Sequence, residues 1–297
     1  MHLGSLHLLS TAAMAIPAGL VVMVGWNLAS SISPMVALPE AAQVETIDVG
    51  GRIAYPVPGE FTRDGRPVEA PRQLVDLAPF AIMKDLVSAA DYAACVDAGA
   101  CAAGDGGASR TADLPAVGVS YLDAEAYAAW FSATSGQDWR LPTEAEWALA
   151  AAERFVGEET AAADPANPAR RWLDAYRAEV ARKRGKDAVL RPLGGFGANA
   201  NGINDMAGNV WEWTSTCYLR AALAPDGPDV VTSTENCRVH IMAGRHRAYM
   251  SDFLRDGKSG GCAVGTPPEH LGFRLVRDEP RSLMARVRKA VWSFLAG

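Results

Sequence analysis

Apolar residues recur along this chain with two different periods. Between Glu45 and Phe80, short apolar runs alternate with Gly50-Gly51, Pro56, Pro58-Gly59 and Asp64-Gly65, the punctuation of strands joined by turns. Downstream the spacing lengthens. Ala89, Tyr92, Ala93 and Val96 follow Ser88 at helical intervals, and Ala126, Tyr127, Trp130 and Phe131 follow Asp123, so each of these polar residues is placed to cap a helix. Thr143 with Glu146 three positions later is a capping box; it predicts a third helix from Glu144 to about Phe155, with Trp147 and Leu149 among its apolar residues. In the stretch 157–190, Asp174, Arg177, Glu179, Arg182, Lys183 and Arg184 surround a helix near Trp172 to Lys186, which reads as an inserted, solvated element. In 279–297, Leu283, Val287, Val291, Phe294 and Leu295 form the apolar strip of a basic amphipathic helix, suited either to a membrane surface or to packing on the domain.

Composition narrows the class. With 297 residues, 49% hydrophobic and 21% charged, the chain can bury one good-sized core in one main domain. A net charge of −6 argues against nucleic acid as a partner, since neutralising phosphates calls for a basic face. The first 39 residues contain no Asp, Glu, Lys or Arg, and Ala12 to Leu28 is almost continuously apolar. Segment 1–39 is therefore expected to be a signal peptide or an N-terminal membrane anchor, although the basic start of a signal peptide is missing and Asn27-Leu28-Ala29 is only a modest cleavage site. Cysteine usage agrees with export to a periplasmic or other extracytoplasmic compartment. Cys95 and Cys101 stand close together, Cys217 and Cys237 flank a Pro-, Gly- and Asp-containing excursion, and each pair is placed to staple a loop. Spacing leaves the connectivity open, and Cys262, the fifth cysteine, is left over as an expected inert thiol.

The run Gly202-Ile203-Asn204-Asp205-Met206-Ala207-Gly208-Asn209-Val210-Trp211-Glu212-Trp213 joins turn formers, oxygen donors and large aromatics. The carboxylates of Asp205 and Glu212 with the carbonyls of Gly208 and Val210 are an oxygen set suited to Ca²⁺. The competing reading has Asp205 capping a turn and Glu212 paired with an arginine.

Together with Leu141-Pro142-Thr143-Glu144-Ala145-Glu146-Trp147, Val117-Gly118-Val119-Ser120-Tyr121-Leu122-Asp123-Ala124 and Leu271-Gly272-Phe273-Arg274-Leu275-Val276, this run resembles the formylglycine-generating enzyme (sulfatase-modifying factor) family over roughly residues 44 to 278. The resemblance implies an α+β, C-type-lectin-like fold of short strands, few helices and much irregular loop. It also implies calcium at Asp205, Gly208, Val210 and Glu212, while the stretch 157–190 offers no clear second calcium loop.

Family members that oxidise a substrate cysteine use two cysteines after a Gly-Gly-Ser-Trp-like strand, whose thiolates suit copper(I). Aligning Ala243-Gly244-Arg245-His246 with that strand places Ala248 and Phe253 where the two sulfurs would stand. The standard formylglycine reaction is accordingly not expected. Ergothioneine-type relatives add a helical iron domain with His ligands, and this sequence holds no such segment. His240, His246, His270, Met242, Met250 and Cys262 offer an alternative copper or iron set of no defined spacing, and Glu269 or His270 could serve as an acid–base group. Arg245, Arg247, Arg255, Asp252 and Asp256 form either a polar recognition pocket or a structural network of ion pairs.

Two functions follow from the resemblance. In the first, the chain is an accessory or binding protein that helps mature an exported protein or peptide partner, similar to the nitrite-reductase-associated NirV group. In the second, it is a non-thiol oxidoreductase or peptide-modifying enzyme resembling the pyoverdine-maturation branch.

Overall fold

The computed structural model describes residues 44–105, 111–155, 177, 189–244, 247–257 and 270–278. The expected leader, the bulk of the charged insertion, the C-terminal helix, and Arg245, His246, Cys262 and Glu269 lie outside these residues. The chain divides into two units, 1–38 and 39–297, and only the second contains described residues.

Among the described residues, two sheets and three α-helices of a turn or more make up the domain. The first sheet has the order β1-β4-β10-β5, from Thr46–Pro56 (β1), Arg72–Met83 (β4), Trp139–Arg140 (β5) and Val276–Asp278 (β10). The second runs β3-β2-β6-β7-β8, from Glu60–Arg63 (β2), Arg66–Val68 (β3), Trp211–Leu223 (β6), Val230–Ala243 (β7) and Ala248–Ser251 (β8), with Leu271–Gly272 (β9) parallel to the start of β6. The turn-rich opening thus folds as expected: β1 and β4 are antiparallel from Thr46↔Met83 to Pro56↔Arg72, interrupted by a bulge in β4, where Ala78 and Pro79 stand against Gly50.

Helices α1 (Ala89–Asp97), α2 (Tyr121–Ser135) and α3 (Glu144–Ala151) each begin with a complete capping box. Ser88 and Thr143 cap α1 and α3 as their sequences predict. For α2 the cap is Ser120, and Asp123 is the acid of the box, returning its carboxylate to the Ser120 amide at 2.8 Å. The helix starts earlier than Asp123 alone implies because Ser120-x-x-Asp123 satisfies two orphan amides where Asp123 as cap would satisfy one. Helix α3 ends at Ala151 and continues as a 3-10 turn, Ala152–Arg154, so the helical stretch reaches Phe155 only in that tighter form.

Helices α1 and α2 pack on the second sheet through Tyr92, Tyr127, Trp213, Met242, Met250 and Phe273. The ring of Phe273 meets Tyr92 and Tyr127 edge-on at centroid distances of 6.3 and 5.4 Å. Trp147 on α3 anchors a second cluster with Phe80, Ile82, Ile203, Met206 and Val276, which joins the two sheets. Gly272 is required between them: a Cβ there would stand 2.8 Å from the Ala116 carbonyl and 2.9 Å from a Val210 methyl.

Candidate functional site

The 202–213 run forms a tight loop before β6. Asp205, Ala207 and Asn209 have φ of 58°, 54° and 56°, so three left-handed non-glycine residues occur within five positions. Asp and Asn tolerate this conformation, and Ala does so at a cost of about 1–2 kcal/mol. The loop is over-determined by its bonds. The Gly208 amide donates to Asp205 O at 2.9 Å, and the Asn209 side chain both accepts from Arg191 N and donates to Arg191 O, at 3.0 and 2.9 Å. Val210 and Trp213 seat the following segment in the interior, with the Trp213 indole donating to Val119 O at 2.9 Å.

Asp205 and Glu212 are both wholly buried, and the structure treats them differently. Glu212 faces Arg274, itself wholly buried, which donates Nε to Oε2 at 2.6 Å and Nη2 to Oε1 at 3.0 Å. The remaining Arg274 donors reach Met83 O, Lys84 O and Asn204 O at 3.3, 3.1 and 2.9 Å. Arg274 therefore ties the loop, the end of β4 and the start of β6 to one guanidinium. Sequence reading foresaw an arginine partner for Glu212 without choosing which; the Leu271-Gly272-Phe273-Arg274 motif was the available signal.

Asp205 accepts from the amides of Gly194 and Phe196 at 2.7 and 2.8 Å, and no cationic side chain pairs with it among the described residues. A buried carboxylate without a counter-charge is costly. Each Asp205 oxygen accepts one of these bonds and keeps further acceptor capacity, while Glu212 is paired with Arg274. Of the expected oxygen set Asp205, Gly208, Val210 and Glu212, both Glu212 oxygens are engaged by Arg274 and the Gly208 carbonyl accepts from the Val210 amide at 2.6 Å.

The second predicted region is dispersed. Ala248 is wholly buried on the core-facing side of β8, opposite Met242, and Met250 lies opposite His240. Phe253, five residues on, is 66% exposed. The two positions that the sequence reading set against the family's sulfurs thus hold a methyl in the core and a ring at the surface. His270 lies just before β9, where its carbonyl accepts from Trp211 N at 2.9 Å. His240 is buried, and its ring lies flat on Tyr121 at 3.5 Å. Burial holds its pKa below the ordinary value, against weaker raising contributions from the Cys237 and Ser215 backbone and from Glu125 and Asp252. Its Nδ1 has no hydrogen-bond partner.

The described arginines and acids proposed as a recognition pocket are spread over distinct ion pairs. Arg247 grips buried Glu144 at 2.7 and 3.1 Å, Arg255 grips Asp123 at 2.6 and 2.8 Å, and Asp252 meets Arg238 at 3.1 Å. Burial works to raise the Asp123 carboxyl, but hydrogen bonds from Arg255 and from the Ser120 hydroxyl and amide outweigh it and hold the pKa below the ordinary value. Both predicted disulfides are present, Cys95–Cys101 and Cys217–Cys237.

A mixed two-sheet domain with few helices, a braced acidic loop and a buried Glu–Arg pair defines the class, and comparison supplies the family. The profile of the Sulfatase-modifying factor enzyme 1-like domain matches residues 40–279, and the chain belongs to this family. It is 32% identical over 191 residues to the formylglycine-generating enzyme of Mycobacterium tuberculosis, covering 55% of this chain and 57% of that protein. It is 36% identical over 174 residues to the inactive C-alpha-formylglycine-generating enzyme 2 of Mus musculus, covering 57% and 51%. A 110-residue stretch is 42% identical to the hercynine oxygenase of Mycolicibacterium thermoresistibile, covering 35% of this chain and 21% of that protein. The chain thus spans about half the length of the first two relatives and a fifth of the third. Among solved structures, PvdO from Pseudomonas aeruginosa superimposes with a TM-score of 0.49 at 24% identity, over 79% of this chain and 94% of that one.

Proposed function

We propose that this protein is a family member without formylglycine-generating activity, an accessory or binding protein acting in the maturation of an exported partner. The observation that carries this reading is the chemistry at positions 248 and 253. A two-thiolate copper site needs two sulfurs, and Ala248 and Phe253 supply none; Ala248 is also sealed in the core, away from any substrate. The similarity to a relative described as inactive supports the same direction. Membership of the nitrite-reductase-associated subgroup belongs to this proposal. The two disulfides support an oxidising, extracytoplasmic location, and among the described residues no helix is long and apolar enough to cross a membrane. Calcium at Asp205, Gly208, Val210 and Glu212 is a structural component of this reading.

The test is incubation of the purified, copper-loaded protein with a sulfatase-derived cysteine peptide and oxygen, with an active family member as positive control. Mass spectrometry is expected to find no aldehyde product. Conversion at a rate comparable to the control would overturn the proposal.

A further inference from the structure

The hairpin of β6 and β7 carries a cluster that the proposed function does not use. Its outer ladder runs from Tyr218↔Asn236 to Ala222↔Thr232, its inner ladder includes Trp213↔Met242, and the register shifts on both sides of Cys217. Cys217 and Cys237 are joined across this break. Glu235 stands two residues before Cys237 and so lies on the same face of β7. The two sulfurs and a Glu235 carboxylate oxygen lie within 4.8 Å of one another. Cys217 is partly exposed, and Cys237 and Glu235 are exposed.

We propose that Cys217, Cys237 and Glu235 form a redox-gated site for a thiophilic cation of the zinc class, closed while the disulfide is intact and open once it is reduced. A dithiol or phosphine reductant supplies two electrons and the S–S bond breaks. A dithiol ends as its own disulfide and passes its two protons to the cysteines, whereas a phosphine ends as its oxide, with the oxygen and the two thiol protons coming from water; both thiols then release their protons to solvent as the ion binds. Two thiolates with one carboxylate match the tetrahedral preference of zinc, with the fourth position left to water. Metal–sulfur bonds of about 2.3 Å require the sulfurs to part to about 3.8 Å in a tetrahedral site, a small movement for side chains whose Cα atoms stand 4.6 Å apart across the register break.

The strands are held without the disulfide. Besides the ladder itself, β2 pairs in parallel with β6 through Phe61↔Ala221, and Arg63 donates to Ala224 O and Gly227 O at the hairpin tip, at 3.0 and 2.8 Å. Reduction therefore frees ligands that stay in register. The Cys95–Cys101 disulfide differs: both residues are buried in the apolar core, and no third ligand joins them among the described residues.

The experiment uses the full chain carrying Cys262→Ser, which removes the fifth thiol. After mild phosphine reduction, alkylation counts the opened thiols, and Co²⁺ is titrated while thiolate-to-cobalt absorption is followed, with Zn²⁺ as competitor. The expected result is one equivalent of Co²⁺ in the reduced protein, displaced by Zn²⁺ and absent from the oxidised protein. Cys237→Ser should abolish the signal, and Glu235→Gln should weaken binding at least fivefold. Resistance of the disulfide to reduction, no signal after reduction, a signal that survives Cys237→Ser, or unchanged affinity in Glu235→Gln would each overturn the assignment. So would loss of the far-UV circular dichroism spectrum on reduction, because the site requires a hairpin that stands without its cross-link.

Discussion

Arg274 commits all five of its N–H groups inside the protein, two of them to Glu212. Removing one member of such a buried pair leaves the other charge uncompensated, at a cost of about 3–5 kcal/mol. Glu212→Gln is expected to lower the thermal midpoint by roughly 10 °C, at about 2–4 °C per kcal/mol for a domain of this size, and the apolar double variant Glu212→Leu/Arg274→Met to lose less than either single variant. Scanning calorimetry on the three proteins decides it. Asp205 predicts the complementary behaviour: if a cation neutralises it, saturating Ca²⁺ raises the midpoint of the wild type, and Asp205→Asn removes that dependence. No shift with Ca²⁺ in the wild type would take the ion away from this loop. His240 adds a pH signature. Burial depresses its pKa in the fold, so below about pH 6.5 the unfolded chain binds the extra proton more readily. Its contribution is full above that pH and is lost as pH falls toward the folded pKa. Urea titrations between pH 7 and 5 should show stability falling, and His240→Gln should flatten the slope, while Tyr121, Glu125, Arg238 and Asp252 remain around the site.

At the level of elements, the caps were legible and their exact positions less so. Ser88, Thr143 and Glu146 act as their spacing implies, because a capping box is a local device whose partners are three residues apart. Asp123 shows the limit of local reading. Both it and Ser120 are good cap residues, and the choice of Ser120 places Tyr121 inside the helix, where its ring stacks on His240, more than a hundred residues away. Ser120→Ala is expected to cost about 0.5–2 kcal/mol through the lost cap, and the cost should shrink only as pH falls below the ordinary carboxylate range and through the depressed folded pKa of Asp123, where the carboxylate and its bond to Arg255 are lost. Chemical denaturation in a series from pH 7 down to about pH 2 measures the difference. Spacing set Cys95 near Cys101 and Cys217 near Cys237 without deciding the connectivity; the structure closes both pairs, at sequence separations of 6 and 20.

For the whole molecule, the family and the mixed α+β architecture lay in the order of residues, because turn formers, caps and motif spacing are properties of the chain itself. In an oxidised preparation, alkylation under denaturing conditions should label one cysteine of the five, Cys262; labelling of three or five would contradict the closed disulfides. What residue order left undecided was pairing over long distance. Nothing local says that Arg274, and no other arginine, meets Glu212, that Arg247 seeks Glu144 while Arg255 seeks Asp123, or that Ala248 is sealed in the core while Phe253 points outward. Charge and size are inscribed in each residue, but the partner of a buried charge is chosen by how two sheets and three helices pack, since only burial makes an ion pair obligatory and only folding brings its halves within hydrogen-bond reach.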